Sequence, residues 1–558
     1  MTNSKTFLIC LLISLTNVIT INAQVKATPK PKTSDAVDQL IAKYAKPNEP
    51  GIAVSVIKDG AIVYKKGVGI ANLEYGIPIT TSTVFHVASV SKQFTVFSIL
   101  LLEQDGKLSL DDDIRKYLPE MPNYGNPITL RNLANHTSGI RDNTDLAYLI
   151  GTTENDLFSN EQAVKLITSQ KGLNFIPGEE FEYCNSGYIL LAEIVKRVSG
   201  QSFSEFTETR IFKPLKMKNS VFLDNPEMIV KNKAYSYFKQ DTYYKSLLNF
   251  SFVGSTGLNT TVEDLSLWAL NFENKTIGNN IIFDKMNKKS QLNSGEIINY
   301  ALGQETKNYK GLDVLFHGGG DAGYRSYLLR IPEHNFSLVI LSNSREFIPI
   351  SLAYEIVDCY LKDKEKTIES DKPKSILDYS VLEKFVGDYE VMNGLIVSIT
   401  KENDTLFHQM KNDNEKVKLI QTDNFEFTYP NLPNSKIIFD LKKETSVTEF
   451  KWLISDFVYK GKRMQLKAFD KTKINLNELA GNYYSSEVNT SYNLIAKENT
   501  LVATHSRNDD MSLSILQPDI FIGGGFFGKV EFIRNEQNKV IGMYVSGQKS
   551  KRIKFDKN

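Results

Sequence analysis

The chain has 558 residues, of which 41% are hydrophobic and 23% are charged. This composition can fill several hydrophobic cores and excludes a disordered or low-complexity protein. At about 150 residues per domain, the length suggests three or four domains. The net charge of +1 does not point to nucleic acid or to an anionic membrane surface as a partner, and 3 cysteines exclude a disulfide scaffold.

The first 23 residues have the pattern of a secretory signal peptide. Lys5 supplies the positive charge, residues 7–21 are largely apolar, and a small residue precedes Gln24. An uncleaved membrane anchor and lipid attachment at Cys10 are the alternatives, but polar residues interrupt the apolar run. We therefore predict cleavage before Gln24, export to the periplasm or the exterior, and no stable membrane insertion.

Residues 24–34 form a Pro- and Lys-rich tether, and the hydrophobic periodicity of residues 35–364 predicts a mixed α/β domain. Strands are predicted near both ends of this domain, with mostly helices and loops between residues 110 and 300. This order indicates an antiparallel sheet closed by distant segments and flanked by helices. The predicted elements are a short helix ending before Pro47, strands over 52–57 and 61–67, a helix over 89–105, strands over 312–316, 324–331 and 336–341, and a helix over 350–361.

Residues 365–377 form a charged linker, beyond which the sequence alternates with the period of β-strands. We identify eight strand-like runs within residues 378–470 and eight more within 471–558. The two halves resemble each other, for example in the sequences GDY at 387–389 and GNY at 481–483. This duplication predicts two lipocalin-like eight-stranded barrels, since closure removes exposed strand edges. One larger barrel or sandwich made from both halves is the alternative.

The sequence excludes several classes of catalytic site. It contains 6 histidines but neither an HExxH segment nor paired CxxC segments, so no metal site is indicated. It also lacks a glycine-rich phosphate loop and a GxSxG turn, which argues against nucleotide enzymes and α/β-hydrolases. We expect no cofactor.

The segment over residues 85–92 carries the first indication of chemistry. Ser89 opens a predicted helix, and Lys92 lies one turn later on the same face. A serine hydroxyl becomes nucleophilic when a base removes its proton, and a lysine amine can do so if its pKa falls. The pattern alone is weak, because SxxK also occurs at Ser236 and Ser546 and because Ser89 could be a plain helix cap.

Two further segments could join this pair. Tyr183 and Asn185 follow a turn signal at residues 177–179, which places them on a loop, and a tyrosine beside an ammonium can act as a general base. His317 and three glycines follow an apolar strand, and glycines let the backbone approach a ligand closely. Taken singly, each segment could be a packed aromatic, an edge-strand histidine or a hairpin turn.

In this order the three segments resemble the SxxK, YxN and [KH]xG motifs of the class C β-lactamase-like branch of the serine β-lactamase and penicillin-binding-protein superfamily. The resemblance covers about residues 35–361 and includes LANHTSGI at 133–140, PGEEFEYCNSG at 177–187 and PLKM at 214–217. It implies the α/β fold of that superfamily for the first domain.

The resemblance also implies roles for individual residues. Ser89 would be the acylated nucleophile, Lys92 the amine that activates it, and Tyr183 the general base and leaving-group acid. The backbone N–H groups of Ser89 and Gly320 would form the oxyanion hole. The residues implied to contact the substrate are Asn185, His317, Gly318 and Gly319. His136 is interpreted as structural and outside the catalytic trio.

Two residues depart from the branch pattern. Cys184 replaces the usual serine between the tyrosine and the asparagine, and His317 replaces a lysine that is a fixed cation. Members with histidine at this position, and members with C-terminal barrels, look like D-aminopeptidases and esterases. We therefore expect a secreted serine hydrolase acting on a small peptide, amide or ester, with uncharged acyl substrates favoured because the fixed cation is missing. A true β-lactamase and a non-catalytic penicillin-binding or ligand-binding protein are the alternatives.

Because the linker is charged, we also expect the hydrolase domain to fold without the barrels, with an altered preference among substrates.

Overall fold

The computed structural model describes residues 32–362, 379–411, 413–440, 447–454 and 457–558. The predicted signal peptide, the linker and most of the tether lie outside these residues. In the described part of the chain, no helix has both the length and the apolar character that a membrane span requires.

The first domain is built on a six-stranded antiparallel sheet. Its strands are mostly buried because helices cover both faces, which explains why they read as continuous apolar runs rather than as alternating ones. The strands of this domain are β1 (Ile52–Lys58), β2 (Ala61–Val68), β3 (Ile70–Asn72), β4 (Ile77–Pro78), β5 (Phe85–His86), β6 (Val221–Phe222), β7 (Tyr237–Lys239), β8 (Tyr243–Lys245), β9 (Leu258–Thr260), β10 (Glu305–Tyr309), β11 (Leu312–Asp321), β12 (Tyr324–Ile331) and β13 (Phe336–Ser342).

The sheet order is β10-β11-β12-β13-β1-β2, so the first and last strands of the domain are neighbours. Ile52 of β1 lies opposite Ser342 of β13. This confirms the predicted closure of the sheet by distant segments. One predicted boundary is wrong: β11 does not end at Phe316 but continues through the three glycines to Asp321, because residues 315–321 all pair with β12.

Helices surround the sheet and form the helical region beside it. Helix α2 is buried on nearly all sides, and α6 ends at Gly200, whose φ of 73° is the left-handed conformation that terminates helices. The helices are α1 (Lys32–Tyr44), α2 (Ser91–Gln104), α3 (Leu130–Ala134), α4 (Asn143–Leu149), α5 (Asn160–Thr168), α6 (Asn185–Ser199), α7 (Phe203–Thr207), α8 (Lys213–Leu215), α9 (Val262–Asn274), α10 (Asn280–Asn287) and α11 (Pro349–Leu361).

The C-terminal region consists of two all-β units, as predicted, but the first has nine strands and not eight. Its order is β17-β16-β15-β14-β22-β21-β20-β19-β18, and the described residues show no pairing between the two end strands. Its strands are β14 (Gly387–Met392), β15 (Leu395–Glu402), β16 (Thr405–Met410), β17 (Lys416–Lys418), β18 (Ile420–Asp423), β19 (Glu426–Tyr429), β20 (Leu432–Asp440), β21 (Glu449–Ile454) and β22 (Phe457–Arg463). The extra strand arises because residues 416–423 break into two short strands that end the sheet on opposite sides.

The second unit is a closed eight-stranded barrel, as predicted. A short helix, α12 (Leu476–Leu479), precedes it. Its strands are β23 (Gly481–Ser485), β24 (Thr490–Lys497), β25 (Thr500–Thr504), β26 (Met511–Gln517), β27 (Ile520–Ile522), β28 (Lys529–Arg534), β29 (Val540–Ser546) and β30 (Ile553–Lys557).

The internal duplication is visible in one repeated contact. The Tyr389 hydroxyl donates to the Phe385 carbonyl at 2.8 Å in the first unit. The Tyr483 hydroxyl donates to the Leu479 carbonyl at 2.7 Å in the second. In each unit the tyrosine of the repeated GDY or GNY sequence thus ties the first strand to the turn before it.

The second barrel shares one hydrophobic core with the first domain. Arg141 and Glu487 form an ion pair of 2.6 Å across this contact, and both side chains are buried. The Tyr492 hydroxyl also donates to the Leu149 carbonyl at 2.8 Å. The expectation that the first domain folds alone is therefore not supported, because removing the barrel would expose apolar surface and leave Arg141 buried without its partner.

Candidate active site

Ser89 lies in a single turn of 3₁₀ helix, Ala88–Val90, between β5 and α2. The predicted helix therefore begins two residues after Ser89 and not at it. Ala88 has a φ of 46°, a left-handed conformation that costs a residue other than glycine about 1 kcal/mol or more. The turn is held from the sheet, since the Ser326 hydroxyl donates to the Val87 carbonyl at 2.7 Å. This strained turn fixes the position of the Ser89 hydroxyl.

Lys92 is completely buried beside Ser89 and has three acceptors around its amine. Its Nζ lies 3.1 Å from Ser89 Oγ, 2.9 Å from Asn185 Oδ1 and 2.7 Å from the Ser255 carbonyl oxygen. Burial lowers the pKa of Lys92 to about 7, although the nearby Asp142 opposes this shift. A neutral Lys92 can donate to Asn185 and Ser255 while its lone pair accepts the Ser89 proton.

Tyr183 lies on the other side of this pair, with its ring centroid 4.9 Å from Lys92 Nζ. Burial raises the pKa of the Tyr183 phenol well above its ordinary value, and the neighbouring Ser89 hydroxyl offsets only part of this rise. Tyr183 therefore carries its proton at neutral pH. This fits the predicted role as a proton donor to the leaving group, whereas Lys92 is the better general base.

The sequence predicted that Asn185 lies on a loop, but it is the first residue of α6. Its backbone N–H donates to the Asp142 carboxylate at 2.6 Å, so a residue from a distant segment caps this helix. Its side chain faces Lys92. The predicted contact between Asn185 and the substrate amide stays a prediction.

The glycine segment of β11 passes directly beside Ser89. The pairing of β11 with β10 ends at Phe316, so the following residues have a free edge among the described strands. A Cβ atom on Gly319 would lie 2.4 Å from the Val87 carbonyl oxygen and 3.1 Å from the Ser89 nitrogen, and only glycine fits there. This close approach supports the predicted oxyanion hole of the Ser89 and Gly320 N–H groups.

His317 is buried at the start of this free edge, with 1% of its surface exposed. Its Nδ1 lies 2.6 Å from the Gly318 carbonyl oxygen, and its Nε2 lies 3.3 Å from the Tyr300 hydroxyl. A carbonyl only accepts, so Nδ1 carries the proton and Nε2 accepts from Tyr300. Burial, with a contribution from the charge of Lys92, lowers the pKa of His317 to about 3. His317 is thus a neutral imidazole.

His136 belongs to the same cluster, although its segment lies outside the three predicted motifs. Its ring centroid lies 4.3 Å from that of Tyr183. Its Nδ1 accepts from the Cys184 N–H at 3.1 Å, which leaves Nε2 to donate to the Tyr300 hydroxyl at 3.1 Å. Burial lowers the pKa of His136 well below its ordinary value. The four groups therefore form one directed chain of hydrogen bonds from Cys184 to His317.

With this geometry in place, comparison with known proteins decides the family. The sequence profile of the Beta-lactamase family matches residues 37–355. The chain belongs to the beta-lactamase family. Penicillin-binding protein 4* of Bacillus subtilis (strain 168) is 30% identical over 389 residues, which cover 63% of this chain and 82% of that protein. The D-aminopeptidase of Gluconobacter oxydans (strain 621H) is 29% identical over 311 residues, or 55% of this chain and 58% of that enzyme.

The fold of this beta-lactamase family member also matches a solved structure. The octameric penicillin-binding protein homologue from Pyrococcus abyssi superposes with a TM-score of 0.53 and 24% identity, covering 77% of this chain and 99% of that one. The sequence resemblance and the fold predicted from it are thereby confirmed, and the family is one of serine hydrolases. The match spans only a little over half of the D-aminopeptidase, so substrate and activity need an argument from the site itself.

Sequence reasoning missed a polar cluster at the end of β11. His86 Nε2 lies 3.0 Å from the Asp321 carboxylate, and the Thr256 hydroxyl lies 2.9 Å from His86 and 3.1 Å from Asp321. His86 and Asp321 stand close in the sequence to Ser89 and Gly320, which was the available signal. The cluster ties the two backbone segments that carry the predicted oxyanion hole.

Sequence reasoning also missed Tyr300, which no motif marks, and Lys549, which comes from the second barrel. Cys184, in contrast, behaves as expected: it is buried, and its thiol donates to the Ile140 carbonyl at 3.2 Å, as a serine hydroxyl could. Within the described ranges, no group of three or more His, Cys, Asp or Glu side chains is placed to hold a metal ion.

Proposed function

We propose that the protein is a secreted serine hydrolase that cleaves a peptide, amide or ester bond of a small substrate through an acyl-enzyme on Ser89. The observation that carries this proposal is the 3.1 Å contact between Ser89 Oγ and the Lys92 amine. Burial brings the pKa of that amine to about 7, so a large fraction of it is neutral at physiological pH and can accept the serine proton.

The reaction then follows from the positions of the groups. Ser89 transfers its proton to Lys92 as Oγ attacks the substrate carbonyl carbon. The N–H groups of Ser89 and Gly320 stabilise the resulting oxyanion. As the tetrahedral intermediate collapses, the leaving group takes a proton from Tyr183, which is replenished from Lys92. Water then attacks the acyl carbon and gives a proton to Lys92. As this second tetrahedral intermediate collapses, the bond to Ser89 Oγ breaks, Oγ takes that proton back and the acid is released.

A peptide or ester substrate is favoured over a β-lactam by the state of His317. A neutral imidazole whose nitrogens are both engaged does not supply the fixed cation that a β-lactam carboxylate would meet in a lysine-containing site. The D-aminopeptidase among the relatives supports an amide or peptide substrate. A side-by-side profile of D-amino acid p-nitroanilides, short acyl esters and nitrocefin distinguishes these activities, and a non-catalytic binding protein would turn over none of them.

Covalent labelling tests the nucleophile. A fluorophosphonate or a fluorescent penicillin, followed by peptide mapping, should place the adduct on Ser89, and Ser89→Ala should abolish it. Ser98→Ala is a matched control, because Ser98 lies on α2 and its hydroxyl only donates to the Phe94 carbonyl. An adduct that persists in Ser89→Ala, or that maps to Ser91, would refute the assignment.

We propose export on the pattern of residues 1–23, and we propose a small substrate, not nucleic acid or a membrane, as the partner. N-terminal sequencing of the mature protein from fractionated cells should give Gln24 as the first residue. Recovery of the full-length chain from the cytoplasmic fraction would argue against export.

A further inference from the structure

The loop between β29 and β30 of the second barrel reaches the catalytic domain. The Arg141 side chain donates to the backbone carbonyls of Lys551 and Arg552 at 2.9 and 3.0 Å. The backbone N–H of Lys551 donates in turn to Asn174 Oδ1 at 2.8 Å. These contacts hold the loop against the segments that carry Tyr183 and the cap of α6.

The backbone of Lys549, in the middle of this loop, is hydrogen-bonded to three residues of the first domain. Its backbone N–H donates to the Asp145 carboxylate at 2.5 Å. Its carbonyl oxygen accepts from the Asp142 N–H at 3.1 Å and from Asn174 Nδ2 at 2.9 Å. With donor and acceptor both engaged, the backbone of Lys549 is set in place, and its side chain starts from a defined point.

The Lys549 side chain brings a second cation to Tyr183. Its Nζ lies 5.2 Å from the centroid of the Tyr183 ring, compared with 4.9 Å for Lys92 Nζ. At longer range, the charge of Lys549 lowers the pKa of the Asp145 and Glu182 carboxyls, which opposes the rise that burial causes. Among the described residues, no carboxylate oxygen lies within 4.0 Å of Lys549 Nζ, whereas Lys551 of the same loop pairs with Glu182 at 3.8 Å.

A half-buried ammonium without a close counter-ion is suited to an anionic ligand. Lys92 cannot fill that role, because its three hydrogen bonds and its reaction with Ser89 occupy it. His317 cannot fill it either, because it is neutral. Lys549 is thus an available cation beside Tyr183, and charge-assisted hydrogen bonds to it would be roughly twice as strong as neutral ones.

We propose that Lys549 binds a carboxylate of the substrate and makes the enzyme select anionic acyl substrates over neutral ones and over those with a free ammonium. This inference rests on the proposed hydrolase function and names its substrate class. It revises the expectation of uncharged substrates, which considered only His317: the cation missing from β11 is supplied by the barrel. It also gives the second barrel a part in specificity.

Three p-nitrophenyl esters of similar chain length test the proposal: pentanoate is neutral, hemisuccinate is anionic and 4-aminobutyrate is cationic. In the full chain, hemisuccinate should have the highest kcat/KM. Lys549→Met should lower the hemisuccinate-to-pentanoate ratio about tenfold, and Lys549→Glu should favour 4-aminobutyrate. Lys554→Met is the matched control, because Lys554 is an exposed lysine of the same barrel that pairs with Asp556 at 2.7 Å. It should leave the ratio unchanged.

Added salt should lower the hemisuccinate preference of the unmodified chain but not that of Lys549→Met. A ratio unchanged in Lys549→Met would overturn the inference. An equal loss for all three esters would overturn it too, because Lys549 would then act through the pKa of Lys92 and not on the substrate. Labelling of Ser89 in each variant shows whether that variant is folded. If the unmodified chain forms no Ser89 adduct and hydrolyses no ester, the proposed function itself fails.

Discussion

The Tyr300 hydroxyl lies 3.3 Å from Nε2 of the buried His317. Because the same hydroxyl accepts from His136 at 3.1 Å, its proton is directed towards His317. This one tyrosine thus joins two histidines whose tautomers are set by the Cys184 N–H and the Gly318 carbonyl. It links the His136 ring, which packs beside Tyr183, to the strand that carries the predicted oxyanion hole.

Tyr300→Phe should therefore damage both stability and activity. Each imidazole nitrogen left buried without a partner costs about 1–3 kcal/mol, and a shift of the ring beside Tyr183 should lower kcat/KM about tenfold. Urea unfolding and ester kinetics measure the two effects. Tyr309→Phe is the control, since that hydroxyl bonds the part-buried Asp358 at 3.0 Å. Equal behaviour of the two variants would contradict the role given to Tyr300.

The acid side of the pH profile should report Lys92. Only the neutral amine accepts the Ser89 proton, so kcat/KM should fall as the pH drops below the Lys92 pKa of about 7, approaching tenfold per pH unit. Burial puts the pKa of His317 near 3, so His317→Ala should lower the rate without moving this limb. A limb that disappears in His317→Ala would instead assign the titration to the imidazole.

His317→Lys should shift specificity towards β-lactams. The new ammonium would add a cation to the free edge of β11, and nitrocefin hydrolysis should rise severalfold relative to a neutral ester. Both substrates are measured on the same preparation, so that the ratio of the nitrocefin rate to the ester rate does not depend on the amount of folded protein. A ratio that stays constant would mean that His317 serves only to hold the strand edge.

Glu487→Gln should weaken the attachment of the second barrel. It leaves the buried Arg141 without its counter-charge, which typically costs about 3 kcal/mol or more. Asp156→Asn, at the exposed pair with Arg507 (2.6 Å), should have a much smaller effect on stability, because solvent screens that pair. Urea denaturation compares the two variants.

A chain ending near residue 364 should be unstable or insoluble; a soluble, folded product that is acylated on Ser89 would show that the shared core is dispensable.

The sequence was sufficient to predict the family and most of the fold. Local patterns report local structure: the hairpin of β1 and β2, the strands β12 and β13 and the closing helix α11 appear where periodicity predicts them. Ser89 and Lys92 are one helical turn apart, so their 3.1 Å contact needed no long-range information. The repeated GDY and GNY sequences likewise indicated two related β units.

The errors arose where a distant segment decides a local conformation. The glycines of β11 suggested a turn, but pairing with β12 keeps them in the strand. Asn185 begins a helix because Asp142 caps it, and the first β unit has nine strands because short segments at its ends pair separately. Local sequence patterns do not contain these partners.

The residue pattern alone indicated which residues could react: a serine one turn before a lysine, a tyrosine and a histidine in a family order. Their protonation states depend on how distant segments pack around them. Burial lowers the pKa of Lys92 to about 7, keeps the proton on Tyr183 and, together with the charge of Lys92, keeps His317 neutral. The tertiary structure also brought Lys549 of the second barrel beside Tyr183. Desolvation and contacts between distant segments depend on the packed core, which no local pattern encodes.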